Sequence, residues 1–548
     1  MSDKKEEIKR KLNTQKQLIY SKFLPYFVLP ALIGVFTGAF IFLFKVVTSY
    51  IMHLSASIYA FVREEPIYLP LLILGVAAIG TASALILKYA KECRGGGIPT
   101  AIASIRGLIP LKWIQGIFVL FTSSCMTYLA GVPLGNEGPS VQMGCAIGKG
   151  SSELLGKKKR AYERYIMTGG ACSGFAVATG APISGILFAL EETHRKFSPV
   201  LFIVAAVSVL SGTVTQEFLS VCFSVDTTFF DLTIKEILPN RNLWIAGVIG
   251  AVCGFSAIAF TNLYKFVKKL EKNALKKLPR VYKIIAIFIL TAIIGFLCED
   301  FIGSGHSIIE KLFDGEMIWY IILIAFLVRA IVMIFANSEG VSGGIFIPTL
   351  AFGAMIAALI SKAFIAIGWF DEKYFAILVV VGMVSFLSAS SRTPITALTF
   401  AAEALCVASN ILPVVVGVVV SYLIVEISGK IAYTDTVIES RAEAAHRDKL
   451  PIIIDTHISV KHDAFAVGME IRDLLLPPTC AVLSVDSEKS DAPKHHGALH
   501  EGDVLHIHYQ TYNVKDTMQI LTQIFGPQEQ DEAIKIHFGS DLHIVPLE

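Results

Sequence analysis

Charge is scarce in this sequence. Of its 548 residues only 17% are Asp, Glu, Lys or Arg, while 54% are hydrophobic, and the mean hydropathy is +0.63. A soluble domain carries about 25% charged residues, so the deficit points to a protein embedded in a bilayer. The net charge of +2 offers no basic field for nucleic acid. No CxxC pair occurs among the nine cysteines, which argues against a zinc site or a disulfide framework and leaves them as small buried hydrophobes. HExxH is absent, and "GCAIGKGSS" (144–152) fails the spacing of a phosphate loop. No polar nucleophile–base pair recurs in the apolar portion, so neither an enzyme nor a metal site is expected. A cleavable signal is missing as well. The start, "MSDKKEEIKRKLNTQKQLIYSK" (1–22), reads as a charged, helical cytosolic arm, and "FLPYFVLPALIGVFTGAFIFLFKVV" (23–47) reads as a first span.

Apolar character continues to about Ile427 and then stops. Basic clusters follow apolar stretches at 156–165, 194–196 and 268–283. If those loops are cytosolic, the positive-inside rule places both termini in the cytoplasm and the protein in the cell membrane, crossing it many times. The tail is polar, and ten of the thirteen histidines lie from His446 onward. Strand-like "PIIID", "CAVLSV" and "DVLHIHY" alternate with helix-like "VGMEIRDLL" and "VKDTMQILTQIF", the pattern of a small soluble α/β domain. The expected division is an arm (1–22), a membrane domain (23–433), a linker (434–450) and a cytosolic domain (451–548).

The membrane part repeats itself. "PISGILFALE" (182–191) and "PITALTFAAE" (394–403) share Pro-Ile and the later Phe, Ala and Glu. "GNEGPSVQMG" (135–144) and "GIFIPTLAFG" (344–353) share Gly-x-x-x-Pro-x-x-x-x-Gly. The two spacings, 212 and 209 residues, are nearly equal. A repeat this long means two homologous halves, the usual build of a transporter. Whether the second half is inverted does not follow from the sequence.

Each repeated segment opens an apolar run with Gly and Pro. Non-helical backbone at membrane depth is tolerated where it is buried in protein or lines a cavity. A helix starting there points free N–H groups and its positive dipole end into that cavity, and so attracts anions. "CRGGGIPTAI" (93–102) is a third such opening. Three N-termini without a lysine hold an anion loosely enough to release it. Within this setting stands Glu137. A carboxylate at the bilayer centre costs about 2.5–3.5 kcal/mol on insertion scales, so its presence asks for a use. At a helix N-terminus it occupies an anion position itself, and once protonated it swings away and lets an anion enter.

"GGGIP" (95–99), "GNEGP" (135–139), "GIFIP" (344–348) and Tyr433 in "GKIAY" resemble, in order and spacing, the signature segments of the CLC family of chloride channels and chloride/proton antiporters, over roughly residues 20–440. The resemblance implies an all-α polytopic membrane protein with two inverted-repeat halves of tilted and broken helices, a homodimer with one pore per subunit. It implies that Glu137 is the gating glutamate and that Glu192, in "LFALEETHRKF", is the internal proton-transfer glutamate. Gly96, Gly138, Ile345, Phe346 and Tyr433 fall on anion-binding positions. Glu191 and Glu403 are the repeat-related pair, read as structural. Two positions depart from the family pattern: Gly96 stands where serine is usual, and Asn136 where arginine precedes the gating glutamate. Chloride is therefore an expectation taken from the family.

The tail segment 468–511 resembles the C-terminal lobe of an RCK unit (a TrkA-C domain), through a helix ending in Arg-Asp-Leu, a strand, and the Gly-Asp-x-Leu turn at 502–505. Such lobes dimerise, and some bind cyclic di-AMP; Arg472, with His495 or His496, are the residues to meet the phosphates of that or another nucleotide. Proton sensing is another use for the tail histidines, which titrate near physiological pH. The reading is a proton-coupled anion antiporter with a cytosolic regulatory domain. Its rival is a passive anion channel in the same fold, against which Glu192 argues.

Overall fold

The computed structural model describes residues 26–154, 162–226, 228–230, 234, 236–315, 317–446, 452–462, 464–477, 479–486, 497–512, 514–528 and 535–537. The apolar runs form helices α1 (Leu29–Glu64), α2 (Leu69–Tyr89), α3 (Ile98–Ile105), α4 (Trp113–Leu129), α5 (Glu137–Leu154), α6 (Glu163–Thr179), α7 (Pro182–Phe188) and α8 (Pro199–Phe223). The second half follows with α9 (Leu243–Asn273), α10 (Arg280–Leu297), α11 (His306–Phe313), α12 (Trp319–Glu339), α13 (Phe346–Ala366), α14 (Phe375–Ser391), α15 (Pro394–Ala404) and α16 (Ile411–Ile427). Each helix of the first eight has its counterpart 206 to 214 residues later. Among the described residues nine helical segments are long and apolar enough to cross a membrane. Others, such as α3 and α7, have 8 and 7 residues; at 1.5 Å per residue they reach roughly 12 Å, well short of a ~30 Å hydrocarbon core. These two are broken helices, and each carries proline in its first turn (Pro99 and Pro182), which has no N–H to lose there.

The halves are related by a two-fold that exchanges them. Gly135 and Gly344, the first glycines of the repeated segment, form one isolated antiparallel bridge with each other. Glu403, at the end of α15, accepts the N–H groups of Ile183 and Ser184 in the first turn of α7, both at 2.8 Å. Glu191, just after α7, accepts those of Ile395 (2.9 Å) and Thr396 (2.6 Å) in the first turn of α15. Each glutamate thus caps the helix of the other half, the structural role expected of the pair. The last glycine of the repeated segment also does the same work twice. A Cβ on Gly144 would lie 2.2 Å from the carbonyl oxygen of Gly170 on α6, and one on Gly353 would lie 2.2 Å from that of Gly382 on α14. Small residues let such helices approach closely where bilayer lipid supplies no hydrophobic drive. Five of the nine cysteines are buried, as expected; Cys222 and Cys406 are exposed, and none is disulfide-bonded.

Beyond α16, α17 (Tyr433–Ala445) leads to a four-stranded sheet of order β2-β3-β1-β4, with β1 Ile452–Ser459, β2 Ala481–Asp486, β3 Val504–Thr511 and β4 Lys535–His537. Every described strand pair is antiparallel. α18 (Val514–Phe525) places Leu521, Ile524 and Phe525 in a small core with Ile454, Leu505 and Tyr509. Burial there pushes the Cys480 thiol up to about 12, which keeps it protonated and inert. The stretch "VGMEIRDLL" is not the helix expected from its pattern. Gly468 takes a left-handed φ of 76°, Glu470 bridges Ala498, and only a 3₁₀ turn, Ile471–Asp473, remains.

That turn docks on the membrane domain. Arg164 of α6 donates to the carbonyls of Leu475 (3.0 Å) and Leu476 (2.7 Å). The Tyr165 hydroxyl donates to the Asp473 carbonyl, the Ser198 hydroxyl to the Asp473 carboxylate at 2.7 Å, and Tyr162 meets Phe465 edge-on at 4.7 Å. Hydrogen bonds to a charged donor contribute about 1.5–3 kcal/mol. Arg164→Ala is therefore expected to loosen the lobe, read as faster protease cleavage between residues 434 and 480 in the intact protein.

Candidate functional site

Three helix N-termini meet at one point. A Cβ on Gly138 would lie 2.6 Å from Gly344 Cα and 2.8 Å from Gly97 Cα, so the openings of α3, α5 and α13 touch through backbone alone. They are stitched together: the Gly135 N–H donates to the Gly344 carbonyl (2.8 Å), Gly344 to Gly135 (2.6 Å), Gly343 to Gly96 (3.2 Å) and Gly95 to Gly340 (2.7 Å). The Tyr128 hydroxyl donates to the Gly135 carbonyl at 2.7 Å. Glycine is required here because any side chain would force the loops apart.

Glu137 is the first residue of α5 and has no exposure to water. Its carboxylate faces the backbone N–H of Ile347, in the first turn of α13, without a hydrogen bond of normal length and angle. Among the described residues neither of its oxygens has a hydrogen-bond partner. Asn136, the residue before it, donates to the Thr48 hydroxyl of α1 at 3.3 Å. Lys45, one turn earlier on α1, is the basic residue within electrostatic reach of Glu137. A basic side chain thus stands near this glutamate on the first span although the neighbouring arginine is absent.

At the openings of α3 and α13 lies a cavity of about 20 Å³, lined in part by Ile98, Phe175, Ile345, Phe346, Thr434 and Glu192. That volume holds about one water-sized particle. Ile345 and Phe346 precede and open α13, so the structure brings the two residues expected to bind the anion and the expected proton-transfer glutamate to one cavity. Phe346 packs edge-on against Phe175 (5.2 Å) and Phe400 (5.1 Å), and Phe188 stacks on Phe175 at 5.3 Å. Phe188 and Phe400 are the repeat-related phenylalanines, which explains their recurrence. Glu192 is 8% exposed and sits in a single π-helical turn, Ala189–Thr193, a feature frequent at functional sites. Arg106 pins that turn by donating to the carbonyls of Glu192 and Thr193, both at 2.9 Å.

Tyr433 opens α17, fully buried between Phe260 (5.2 Å) and Tyr264 (5.4 Å). Its hydroxyl accepts from the Asn337 side chain at 2.6 Å, which leaves its own proton free to be donated. A Cβ on Gly96 would lie 2.3 Å from Leu120 Cδ2, so the volume a serine would use is filled by leucine. In the tail, Arg472 is exposed and paired with Glu470 at 2.7 Å; His495 and His496 lie outside the described residues. His508 pairs with Asp455 at 2.6 Å, and His506 stacks on His457 at 4.5 Å. Sequence reasoning missed Lys45, Arg106 and Asn337. Lys45, a lone charge inside "FLFKVV", was the one visible signal, since a charge within a span marks a functional position.

The family model described as voltage gated chloride channel matches residues 78–426, more than half of the chain. The H(+)/Cl(-) exchange transporter ClcA of Citrobacter koseri is 26% identical over 351 residues, 63% of this chain and 73% of that one. The Klebsiella pneumoniae protein of the same name is 27% identical over 343 residues, 61% and 70% of the two chains. The crystal structure of a slow cyanobacterial Cl-/H+ antiporter aligns with TM-score 0.68 at 21% identity, covering 76% of this chain and 98% of that one. A CLC-type fluoride/proton antiporter aligns at 0.61 and 19% identity, covering 74% and 96%. With three helix N-termini meeting at a glycine crossing, and with its helices repeating in two exchanged halves, the chain belongs to the voltage gated chloride channel (CLC) family.

Proposed function

We propose that this protein is a proton-coupled anion antiporter, with chloride as the first anion to test. The observation that carries the reading is Glu137, a carboxylate sealed from water at the crossing of three helix N-termini without a hydrogen-bond partner among the described residues. Ionised, it fills the place of an anion by its own charge. Protonated, it loses its hold on the helix dipoles, and an anion takes its place before the N-termini that its charge faced. Glu192, on the cavity behind Ile345 and Phe346, passes protons to and from the other side. The exchanger names of the relatives at 26–27% identity support the same coupling.

On this reading the protein is a homodimer of the cell membrane with both termini cytoplasmic and no enzymatic activity. Residues 23–433 form the transport domain, 434–450 link it to the cytosol, and 451–548 form a regulatory lobe of the RCK C-terminal type. Cyclic di-AMP or another nucleotide is the ligand to test on that lobe.

Proteoliposomes under an imposed chloride gradient test the function. Wild type is expected to drive protons uphill, and Glu192→Ala to lower proton movement by about tenfold or more while chloride still flows. Chloride flux with no proton movement in wild type would make the protein a channel.

A further inference from the structure

We propose that Arg441 supplies the positive charge that holds the transported anion at the Gly95–Gly97 loop, in place of the hydroxyl that Gly96 lacks. The inference rests on the antiporter reading above. Arg441 lies on α17, eight residues beyond Tyr433. Its Nη1 donates to the carbonyls of Arg94 (3.1 Å) and Gly95 and to the hydroxyl of Thr100; its Nη2 donates to Asn337 Oδ1 at 2.6 Å. The guanidinium lies so close to the loop that a Cβ on Gly95 would overlap it.

Every one of those acceptors is neutral. The carboxylates nearby are engaged elsewhere: Glu339 by Lys283 (2.9 Å) and Arg280 (3.8 Å), and Glu271 by Lys268 (3.4 Å). Among the described residues Arg441 has no ion pair. A half-buried cation without a counter-charge is costly, and a bound anion removes that cost.

Two orphaned donors, one on the loop and one on α5 against it, point to the same ligand. The N–H groups of Gly95 and Gly97 are used, by the Gly340 carbonyl and by Gln142 Oε1. The N–H of Gly96, which is buried, has no acceptor among the described residues. Gln142 has no exposure to water, and its Nε2 likewise has no acceptor. Asn337 completes the arrangement, because its amide holds the guanidinium with one end and the Tyr433 hydroxyl with the other. Because its hydrogen bonds go to neutral protein groups, Arg441 offers the anion a field rather than a bidentate grip. Such binding is loose enough for turnover.

Chloride affinity of purified protein, by isothermal titration calorimetry, decides the matter alongside vesicle transport. Arg441→Gln is expected to weaken binding by about tenfold or more, while Arg441→Lys, which keeps the charge, stays within about threefold. If Arg441→Gln does not fold, Asn337→Asp in a Tyr433→Phe background takes its place. That change sets a carboxylate against the guanidinium and is expected to lower affinity about tenfold relative to Tyr433→Phe alone. Wild-type chloride/proton exchange with unchanged affinity in Arg441→Gln, or in the Asn337→Asp pair, overturns this inference and leaves the antiporter reading intact. Wild-type vesicles that move no anion overturn both.

Discussion

Vesicles carrying Glu137→Gln are expected to pass chloride down its gradient while moving no protons against theirs. Glutamine keeps the shape of a protonated glutamate and can neither give up that proton nor carry the charge that competes with the anion. The substitution breaks no hydrogen bond of normal length and angle among the described residues, and the Glu137 and Ile347 N–H groups that face the carboxylate can face the amide oxygen instead. It also removes an acid whose insertion at the bilayer centre costs about 2.5–3.5 kcal/mol, so the melting temperature should hold or rise. A pH-sensitive dye and a chloride electrode on the same vesicles read the two fluxes, and a thermal melt in detergent reads stability. Intact uphill proton movement in the variant would take Glu137 out of the proton path. A collapsed melt would show that its charge is structural.

Gly138→Ala should be nearly as damaging, for a steric reason. The added methyl would meet Gly344 Cα at 2.6 Å and Gly97 Cα at 2.8 Å, and both obstacles are backbone. Overpacking of this kind costs about 1–3 kcal/mol, and here relief requires separating the loops whose N–H groups face the anion. Chloride binding is expected to fall by about tenfold or more, since 1.4 kcal/mol is tenfold in affinity, even in protein that still elutes as one species. Gly75→Ala on α2 is the control: its Cβ meets nothing within 4 Å, and activity should be unchanged. Equal binding in Gly138→Ala would mean that the crossing is loose and that the anion does not depend on it.

Much of this architecture was legible because the repeat is written twice. Pro-Ile with its later Phe, Ala and Glu marked the two repeat-related segments, and the structure gives Glu191 and Glu403 matching tasks, each capping the other half's helix. Gly and Pro at the start of apolar runs located the three N-termini, since few other places in a bilayer tolerate that chemistry. Arg441 was invisible for the opposite reason. It stands in "TDTVIESRAEAAHRDKL", where one more charge among polar residues reads as a solvated face. Its partners, Gly95 and Asn337, are 346 and 104 residues away in the chain. The tail turn at Ile471–Asp473 misled for a related reason: its local pattern suits a helix, but its neighbours Leu475 and Leu476 spend their carbonyls on Arg164.

The exchanged helix caps also set a clock on the birth of the protein. The N–H groups that open α7 wait for Glu403, which leaves the ribosome 220 residues after Ile183. At roughly 5–20 residues per second that interval is on the order of ten to forty seconds. Throughout it, the first half sits in the bilayer with bare helix ends in a medium that offers them no water. A half-made chain is therefore a species the membrane insertion machinery must shelter, and a truncation before residue 403 should be degraded rather than accumulate as a stable half-transporter.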